Sequence, residues 1–321
     1  MRATEGIRLV DRYQLERQLG RGGMGAVWQA RDLVLGRMVA IKIVDPDGSG
    51  GRRDRLALRR EAMVVGNLTH PQVARIYDYC ETGDGDFIVM ELIEGESLAA
   101  LLAREGRLPA GEAARITALC AGALDAAHRA GVVHRDVKPS NIMLTEHSAK
   151  VIDFGIAATL DPSETTTQFG LVGTAAYLAP ERVTGATATP AADLYSLGVA
   201  FYQMLSGHLP YKAEDSIAML YAHTTVSPIP LPVDVPPALA EICMSLLAKD
   251  PAGRPASAGV LAARLDRALV VPAMPQRPLW RPEPEGASAA QFATGSASAG
   301  PLRRRNTTAA RAPKRHHLRS V

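Results

Sequence analysis

Four polar side chains in two short segments have the types and the spacing that phosphoryl transfer requires. Asp136, Lys138 and Asn141 lie within six residues, and Asp153 follows twelve residues after Asn141. Apolar residues flank the first segment on both sides, so a loop between two short strands could direct all four groups to one point. Phosphoryl transfer needs an acid near the incoming hydroxyl, oxygen ligands for Mg²⁺ and a cation for the phosphate charge.

The segment 134–141, His-Arg-Asp-Val-Lys-Pro-Ser-Asn, resembles the catalytic loop of the serine/threonine protein kinases. Asp-Phe-Gly at 153–155 resembles the metal-binding motif of the same family. Other motifs of the family occur in the same order, with similar gaps: a glycine-rich run at 20–27, Val-Ala-Ile-Lys at 39–42, Glu61, and Ala-Pro-Glu at 179–181. The resemblance covers about residues 13–268. The residues within the motifs are similar to those of the bacterial, eukaryotic-like (Hanks-type) branch.

The resemblance implies a role for each polar residue of the two segments. Asp136 would accept or orient the proton of the substrate hydroxyl, and Lys138 would neutralise the γ-phosphate. Asn141 and Asp153 would hold Mg²⁺, with Mn²⁺ as a substitute. Lysine two residues after Asp136 indicates serine or threonine acceptors rather than tyrosine.

ATP is the nucleotide that the resemblance implies, and its site would lie between two lobes. Lys42, held by Glu61, would orient the α- and β-phosphates, and small residues in the glycine-rich run would let backbone N–H groups approach phosphate. Met90 would line the back of the pocket, and backbone groups at Glu91 and Ile93 would face adenine. The implied nucleotide-contacting residues are Leu19, Gly20, Arg21, Gly22, Gly23, Met24, Gly25, Ala26, Val27, Ala40, Lys42, Met90, Glu91, Ile93 and Met143.

Several further residues would support the site without touching the substrate. In the family, the equivalents of Glu181 and Arg254 form a structural salt bridge, and that of Asp193 holds the backbone of the catalytic loop. A helix N-cap is the alternative interpretation of Asp193. His134 and Phe154 would stack between the lobes with two apolar residues, Val65 and Ile76.

A threonine-rich segment at 156–178 resembles an activation loop. Phosphorylation of at least one of Thr165, Thr166 and Thr167 is expected from that resemblance, with Arg135 as the partner of the phosphate. An ordinary surface loop is the alternative interpretation.

The fold class that follows is α+β, a bilobal protein-kinase fold with a small β-rich N-lobe carrying one long helix and a larger α-rich C-lobe. We predict an N-terminal extension (1–12), an N-lobe (13–90), a hinge (91–95) and a C-lobe (96–268). Patterning predicts two strands within 13–30, further strands at 73–80 and 87–93, and a helix within 52–68. The C-lobe helices are predicted at 96–105, 110–130, 194–205, 214–223, 237–248 and 256–270.

Composition separates a globular part from a basic tail. The 321 residues are 47% hydrophobic with a net charge of +3, and nine basic against two acidic residues lie in 271–321. The Pro-, Ala- and Arg-rich segment 269–321 is predicted to be disordered, and its charge suits anionic partners, although greater solubility is the simpler interpretation. Three separated cysteines and the absence of any long apolar run or signal peptide favour a reducing, cytoplasmic location without a membrane span.

Two other function classes compete with a protein kinase. A pseudokinase scaffold would lack at least one of Lys42, Asp136, Asn141 and Asp153, and all four are present. A small-molecule phosphotransferase of the same fold would usually lack the Ala-Pro-Glu segment at 179–181. The preferred interpretation is a kinase that phosphorylates proteins on Ser and Thr, autophosphorylates and serves in signalling, with pairing through the small lobes as a family property.

Overall fold

The computed structural model describes residues 4–22, 25–44, 59, 62–63, 65–82, 85–154, 175–269 and 278–280. These residues form a small lobe built on a β-sheet and a larger helical lobe. The predicted bilobal α+β architecture is confirmed.

A six-stranded antiparallel sheet forms the small lobe, in the order β1-β2-β3-β4-β6-β5. Its strands are β1 (Arg8–Leu9), β2 (Tyr13–Gly22), β3 (Gly25–Asp32), β4 (Arg37–Val44), β5 (Ile76–Thr82) and β6 (Gly85–Glu91). Side chains alternate across β4, so Val39, Ile41 and Ile43 enter the core of the sheet. Ala40 and Lys42 therefore lie on the opposite face, which places the ammonium of Lys42 toward the large lobe.

The strand bounds differ from the predicted ones in two places. The strand expected at 73–80 is Ile76–Thr82, and the strand expected at 87–93 is Gly85–Glu91. The segment 1–12, predicted to be an extension, contributes β1, and Leu9 is buried in the core of the sheet. Of the helix predicted within 52–68, residues 59, 62, 63 and 65 are described and helical.

Helices dominate the large lobe. They are α1 (Leu98–Glu105), α2 (Ala110–Arg129), α3 (Pro180–Val183), α4 (Pro190–Ser206), α5 (Ser216–Thr225), α6 (Pro237–Leu246) and α7 (Ala258–Leu269). The first begins at Leu98, two residues later than predicted, because the Ser97 hydroxyl accepts a hydrogen bond from Ala100 N at 3.1 Å and caps the helix there.

Helices α2 and α4 form the centre of the large lobe. One face of α2, which includes Ile116, Ala123 and Ala127, is buried and packs against α4 and α7. Helix α4 is apolar on nearly all sides and is buried along most of its length, which identifies it as a core helix. A Cβ at Gly198 would overlap Leu246, so glycine at this position permits the close approach of α4 and α6.

The hinge leads from β6 into a second, three-stranded sheet in the order β7-β8-β9. Its strands are β7 (Glu96–Ser97), β8 (Ile142–Leu144) and β9 (Ala149–Val151). A Cβ at Gly95 would overlap the carbonyl oxygen of Leu144, so glycine allows the hinge to lie directly on β8. Strand β8 begins directly after the segment 134–141, and β9 ends two residues before Asp153, so the β8–β9 hairpin connects the two polar segments.

Part of the segment 269–321, which is predicted to be a disordered tail, has a described structure. Residues 278–280 pack on the large lobe, where Leu279 is only 3% exposed, and Leu269 is the last residue of α7. The disorder prediction is therefore wrong for these four residues. Among the described residues, no helix is both long and apolar enough to cross a bilayer.

Candidate active site

Two side chains of the segment 134–141 meet at the carboxylate of Asp136. Lys138 Nζ lies 2.8 Å from Asp136 Oδ2, and Asn141 Nδ2 donates to the same oxygen at 3.0 Å. Asn141 Nδ2 also donates to the backbone oxygen of Asp136 at 2.9 Å. A 3₁₀ turn at Pro139–Asn141 bends the chain back and makes this arrangement possible. Asp136 and Lys138 are each about a quarter exposed, so solvent and substrate can reach them.

The backbone of this segment is held by one buried acid on α4. Asp193 is 1% exposed, and its two oxygens accept hydrogen bonds from His134 N and Arg135 N, each at 2.8 Å. Arg135 has φ 70°, a left-handed conformation that costs a non-glycine residue roughly 1–3 kcal/mol. The two charge-assisted hydrogen bonds stabilise this strained backbone. Asp193 is not the helix N-cap, which is Thr189.

His128 is a supporting residue that the sequence analysis missed. Its Nε2 lies 2.8 Å from Asp193 Oδ2, and both side chains are buried. The last turn of α2 thereby contacts the acid that holds the catalytic loop. A histidine near a helix C-terminus is common for electrostatic reasons alone, so nothing local in the sequence distinguishes this one.

His134 connects the two chemistry-bearing segments. Its Nδ1 accepts a hydrogen bond from Asp136 N at 3.2 Å, so the proton is on Nε2, which donates to the carbonyl oxygen of Ile152 at 3.1 Å. Its ring also packs on Phe154, with the centroids 4.5 Å apart. Phe154 and Val65 belong to the core of the large lobe, and Ile76 packs against that core. The stacking of His134 on Phe154 is therefore present, and the stacking of Val65 and Ile76 with them stays a prediction.

Asp153 lies across the cleft from β4. Its Oδ1 is 3.0 Å from Lys42 Nζ, and its backbone φ is 52°, again left-handed. Ile152 N donates to Asn141 O at 3.0 Å, which ties the start of one segment to the end of the other. Burial tends to raise the pKa of Asp153, but the charge and hydrogen bond of Lys42 outweigh it and hold the pKa below its usual value. Asp153 is therefore an anion at neutral pH.

Some of the nucleotide-contacting residues can be located and others cannot. Val27 pairs with Lys42 and Ala40 with Met90 across the sheet, and Met143 is buried on β8. At the end of the β2–β3 hairpin, Gly22 pairs with Gly25, and Gly20, Arg21, Ala26 and Leu19 lie on the two strands. Gly23, Met24 and Glu61 lie outside the described residues, so the pairing of Glu61 with Lys42 stays a prediction.

The hinge is fastened to the β8–β9 hairpin by an ion pair that the sequence analysis also missed. Lys150 Nζ lies 2.8 Å from Glu91 Oε1 and 3.0 Å from Oε2. Glu91 N donates to the carbonyl oxygen of Arg75 at 2.9 Å, so the carbonyl of Glu91 is the backbone group that remains for adenine. Ile93 follows in the same extended hinge segment.

The predicted pair of Glu181 and Arg254 is present. Two parallel hydrogen bonds join them, Nη1–Oε1 at 2.7 Å and Nη2–Oε2 at 2.8 Å, and the arginine side chain is fully buried. This bidentate pair fixes the segment 179–181 to the loop after α6.

A buried polar cluster lies beneath the 3₁₀ turn Ala175–Tyr177, which precedes that segment. Tyr195 Oη is 2.8 Å from His223 Nδ1 and 3.0 Å from Tyr211 Oη, and Lys249 Nζ donates to Tyr211 Oη at 2.9 Å. Burial, together with the charge of Lys249, lowers the pKa of His223 to about 4. The neutral imidazole is thus part of the folded structure.

We expect stability to depend on pH through His223. Its folded pKa lies below the usual value of about 6.5, so the unfolded chain binds more protons between those pH values, and stability falls as the pH decreases through this window by up to about 3 kcal/mol. Urea unfolding at pH 7.5, 6 and 5 measures the slope. His223→Gln should flatten it, whereas His147→Gln, at an exposed histidine, should not. An unchanged slope in His223→Gln would exclude this group as the cause.

The donor set around Asp136 and Asp153 suits a magnesium ion that also binds phosphate. Because the amide nitrogen of Asn141 faces Asp136, its amide oxygen is the atom left to bind a cation. The described residues contain no cluster of three or more His, Cys, Asp or Glu placed to hold a metal. An ion held by one carboxylate and one amide needs further oxygen ligands, and Mg²⁺ commonly takes them from substrate phosphates and water.

Comparison with known proteins decides the family. The model of the family described as "Protein kinase domain" matches residues 13–265, most of the chain. The chain belongs to the protein kinase family. It is 40% identical over 299 residues to serine/threonine-protein kinase PknA of Mycobacterium tuberculosis, covering 91% of this chain and 69% of that protein. It is 45% identical over 264 residues to PknD of the same organism, covering 80% and 40%.

Similarity to a solved structure supports the assignment of this chain to the protein kinase family. The crystal structure of the kinase domain of Mycobacterium tuberculosis PknI has a TM-score of 0.65 and 27% sequence identity, covering 83% of this chain and 99% of that one. The kinase is thus a bacterial, Hanks-type serine/threonine protein kinase that uses ATP and acts on proteins. The small-molecule phosphotransferase and the pseudokinase scaffold are not supported.

Proposed function

We propose that this kinase transfers the γ-phosphate of Mg-ATP with the four groups Asp136, Lys138, Asn141 and Asp153, and that it autophosphorylates in a signalling role. The observation that supports it most directly is the convergence of Lys138 and Asn141 on Asp136, tied through the Asn141–Ile152 hydrogen bond to the segment that carries Asp153. These are the acid, the cation and the oxygen ligands that the reaction requires.

Each side chain then has one task. Asp136, whose Oδ2 is engaged by Lys138 and Asn141, orients the substrate hydroxyl and accepts its proton. Lys138 stays beside the transferred phosphoryl group and compensates its charge, and Lys42 orients the α- and β-phosphates from β4. Asn141 and Asp153 would hold a magnesium ion, which would supply positive charge to neutralise the phosphates.

The environment of Arg135 supports autophosphorylation in the threonine-rich segment at 156–178. Arg135 is partly buried, and its Nε has no hydrogen-bond partner among the described residues. Burial, then the charge of Arg182, lower its pKa, so this guanidinium is incompletely compensated. A phosphate group on Thr165, Thr166 or Thr167 would supply the missing anion. These threonines lie outside the described residues.

Mass spectrometry of the purified chain tests the proposal. After incubation with ATP and Mg²⁺, we expect phosphate on at least one of Thr165, Thr166 and Thr167, and none when EDTA replaces Mg²⁺. Lys42→Met is the matched control, because it removes the cation beside Asp153 and should leave the threonines unmodified. Active protein with unmodified threonines would contradict autophosphorylation, and transfer in EDTA would contradict the metal role.

Three further proposals concern the location of the chain, a partner for its basic segment and its self-association. Cys120 and Cys243 are buried as free thiols, and burial raises the pKa of Cys120 to about 12, which suits a reducing cytoplasm. The nine basic residues in 271–321 suit an anionic partner. Pairing through the small lobes rests on the family resemblance alone.

A further inference from the structure

The segment 278–280 lies on the large lobe and follows α7, the last helix among the described residues. Helix α7 ends at Leu269, and the match to the family model ends at residue 265, yet Leu279 is 3% exposed and belongs to the core of the large lobe. Trp280 packs against the same core. Within 275–290 these are the only large apolar side chains, so the composition singles them out as the residues of this stretch that gain from burial.

One backbone hydrogen bond fixes where the segment lies. Leu279 N donates to the carbonyl oxygen of Glu146 at 3.0 Å, and Glu146 belongs to the turn between β8 and β9. Helix α2 holds the same turn from another side, since Arg115 Nη2 donates to His147 O at 2.9 Å. Inside the turn, Thr145 N donates to Ser148 O at 2.8 Å. The β8–β9 turn is thus held by its own backbone hydrogen bond and by Arg115, and residues 278–280 contribute a further hydrogen bond to it.

The other end of the same hairpin carries the site. Strand β8 begins directly after Asn141, and β9 stops two residues before Asp153. The two strands carry Met143, which is predicted to contact the nucleotide, and Lys150, which pairs with Glu91 of the hinge. Because the two strands are short and paired along their whole length, a displacement of the turn is transmitted to both ends.

We propose that residues 278–280 are an anchoring segment of the kinase domain, which occupies the surface beside the β8–β9 turn and positions the hairpin for nucleotide binding. The occupant of this surface is the chain's own C-terminal segment, and docking and nucleotide binding favour each other by linkage. The inference uses the proposed roles of Asn141, Asp153 and Met143, but its test needs no phosphoryl transfer.

Fluorescence of Trp280 measures docking in the full chain. Trp28 and Trp280 are the two tryptophans, and Trp28 Nε1 has no hydrogen-bond partner in the described part of the chain, so Trp28→Phe isolates the signal without breaking a known bond. In this background we expect Trp280 to be protected from acrylamide. Leu279→Ser should abolish the protection, whereas the matched Leu302→Ser should preserve it. If acrylamide quenched Trp280 in the Trp28→Phe variant as efficiently as it quenches free tryptophan, docking would be overturned.

Calorimetry with Mg²⁺ and a non-hydrolysable ATP analogue measures the positioning effect. We expect Leu279→Ser to raise the Kd about 5-fold, the lower end of typical coupling between sites, with Leu302→Ser unchanged. Trp280→Ala is a second variant for the case that Leu279→Ser fails to fold, and it should raise the Kd in the same direction. By reciprocity, the analogue should strengthen the protection of Trp280. An unchanged Kd in a folded, undocked variant would overturn the positioning role, whether or not the chain transfers phosphate.

Discussion

Replacing Asp136 with asparagine is expected to lower the rate of phosphate transfer by about 10²–10⁴-fold, the usual contribution of a positioned general base. Asparagine has nearly the same shape as aspartate but cannot accept the hydroxyl proton. It also removes the negative charge 2.8 Å from Lys138 Nζ. The initial rate of phosphate incorporation into a protein substrate, at saturating Mg-ATP, measures the effect.

A remote carboxylate supplies the control for this substitution. Asp234 pairs with Arg107 at 3.0 Å on the surface, where its side chain is 59% exposed. Asp234→Asn should leave the rate unchanged, because an exposed ion pair contributes little to stability and this one lies outside the site. Both variants should bind the ATP analogue as the parent does. If Asp136→Asn kept more than a few per cent of the parent rate, the role assigned to Asp136 would have to be abandoned.

The parts of the molecule that the sequence predicts well are those in which a short segment carries both the chemistry and its geometry. In residues 134–141, the acid and the lysine directly precede the 3₁₀ turn that carries the asparagine, so their convergence follows from a few backbone angles. The same holds for the helices of the large lobe, whose apolar periodicity requires a buried face and whose bounds agree to within a few residues.

The parts that it misses depend on partners far apart in the chain. His128 and Asp193 are 65 residues apart, and Lys150 and Glu91 are 59 apart, so no local pattern links either pair. Leu279 is another such case, because a composition rich in proline, alanine and arginine indicates disorder for the tail as a whole. Leu279 and the adjacent Trp280 are ordered because they gain from burial against the large lobe. The sequence of the tail does not show that such a surface is available to them.

The second large effect is expected at Arg254, in the stability of the fold. Its buried guanidinium donates to both oxygens of Glu181 and also to the carbonyl oxygens of Ala191, Ala248 and Lys249. Arg254→Met would leave Glu181, which is only 15% exposed, as an uncompensated charge beside three carbonyls without their donor. Removing one partner of such a pair typically costs about 3–5 kcal/mol, a large share of the stability of a domain. Urea unfolding monitored by circular dichroism measures this loss.

Arg264 provides the matched comparison, because its pair with Glu241 is long, 3.4 Å, and exposed on the acidic side. Arg264→Met should change the free energy of unfolding by less than about 1 kcal/mol, as is usual for surface pairs. The double variant Glu181→Gln, Arg254→Met separates the stranded charge from the lost packing, since neutralising Glu181 should recover part of the stability. A loss below about 1 kcal/mol in Arg254→Met would mean that Glu181 finds water or another cation, so that the segment 179–181 is held by its packing rather than by this ion pair.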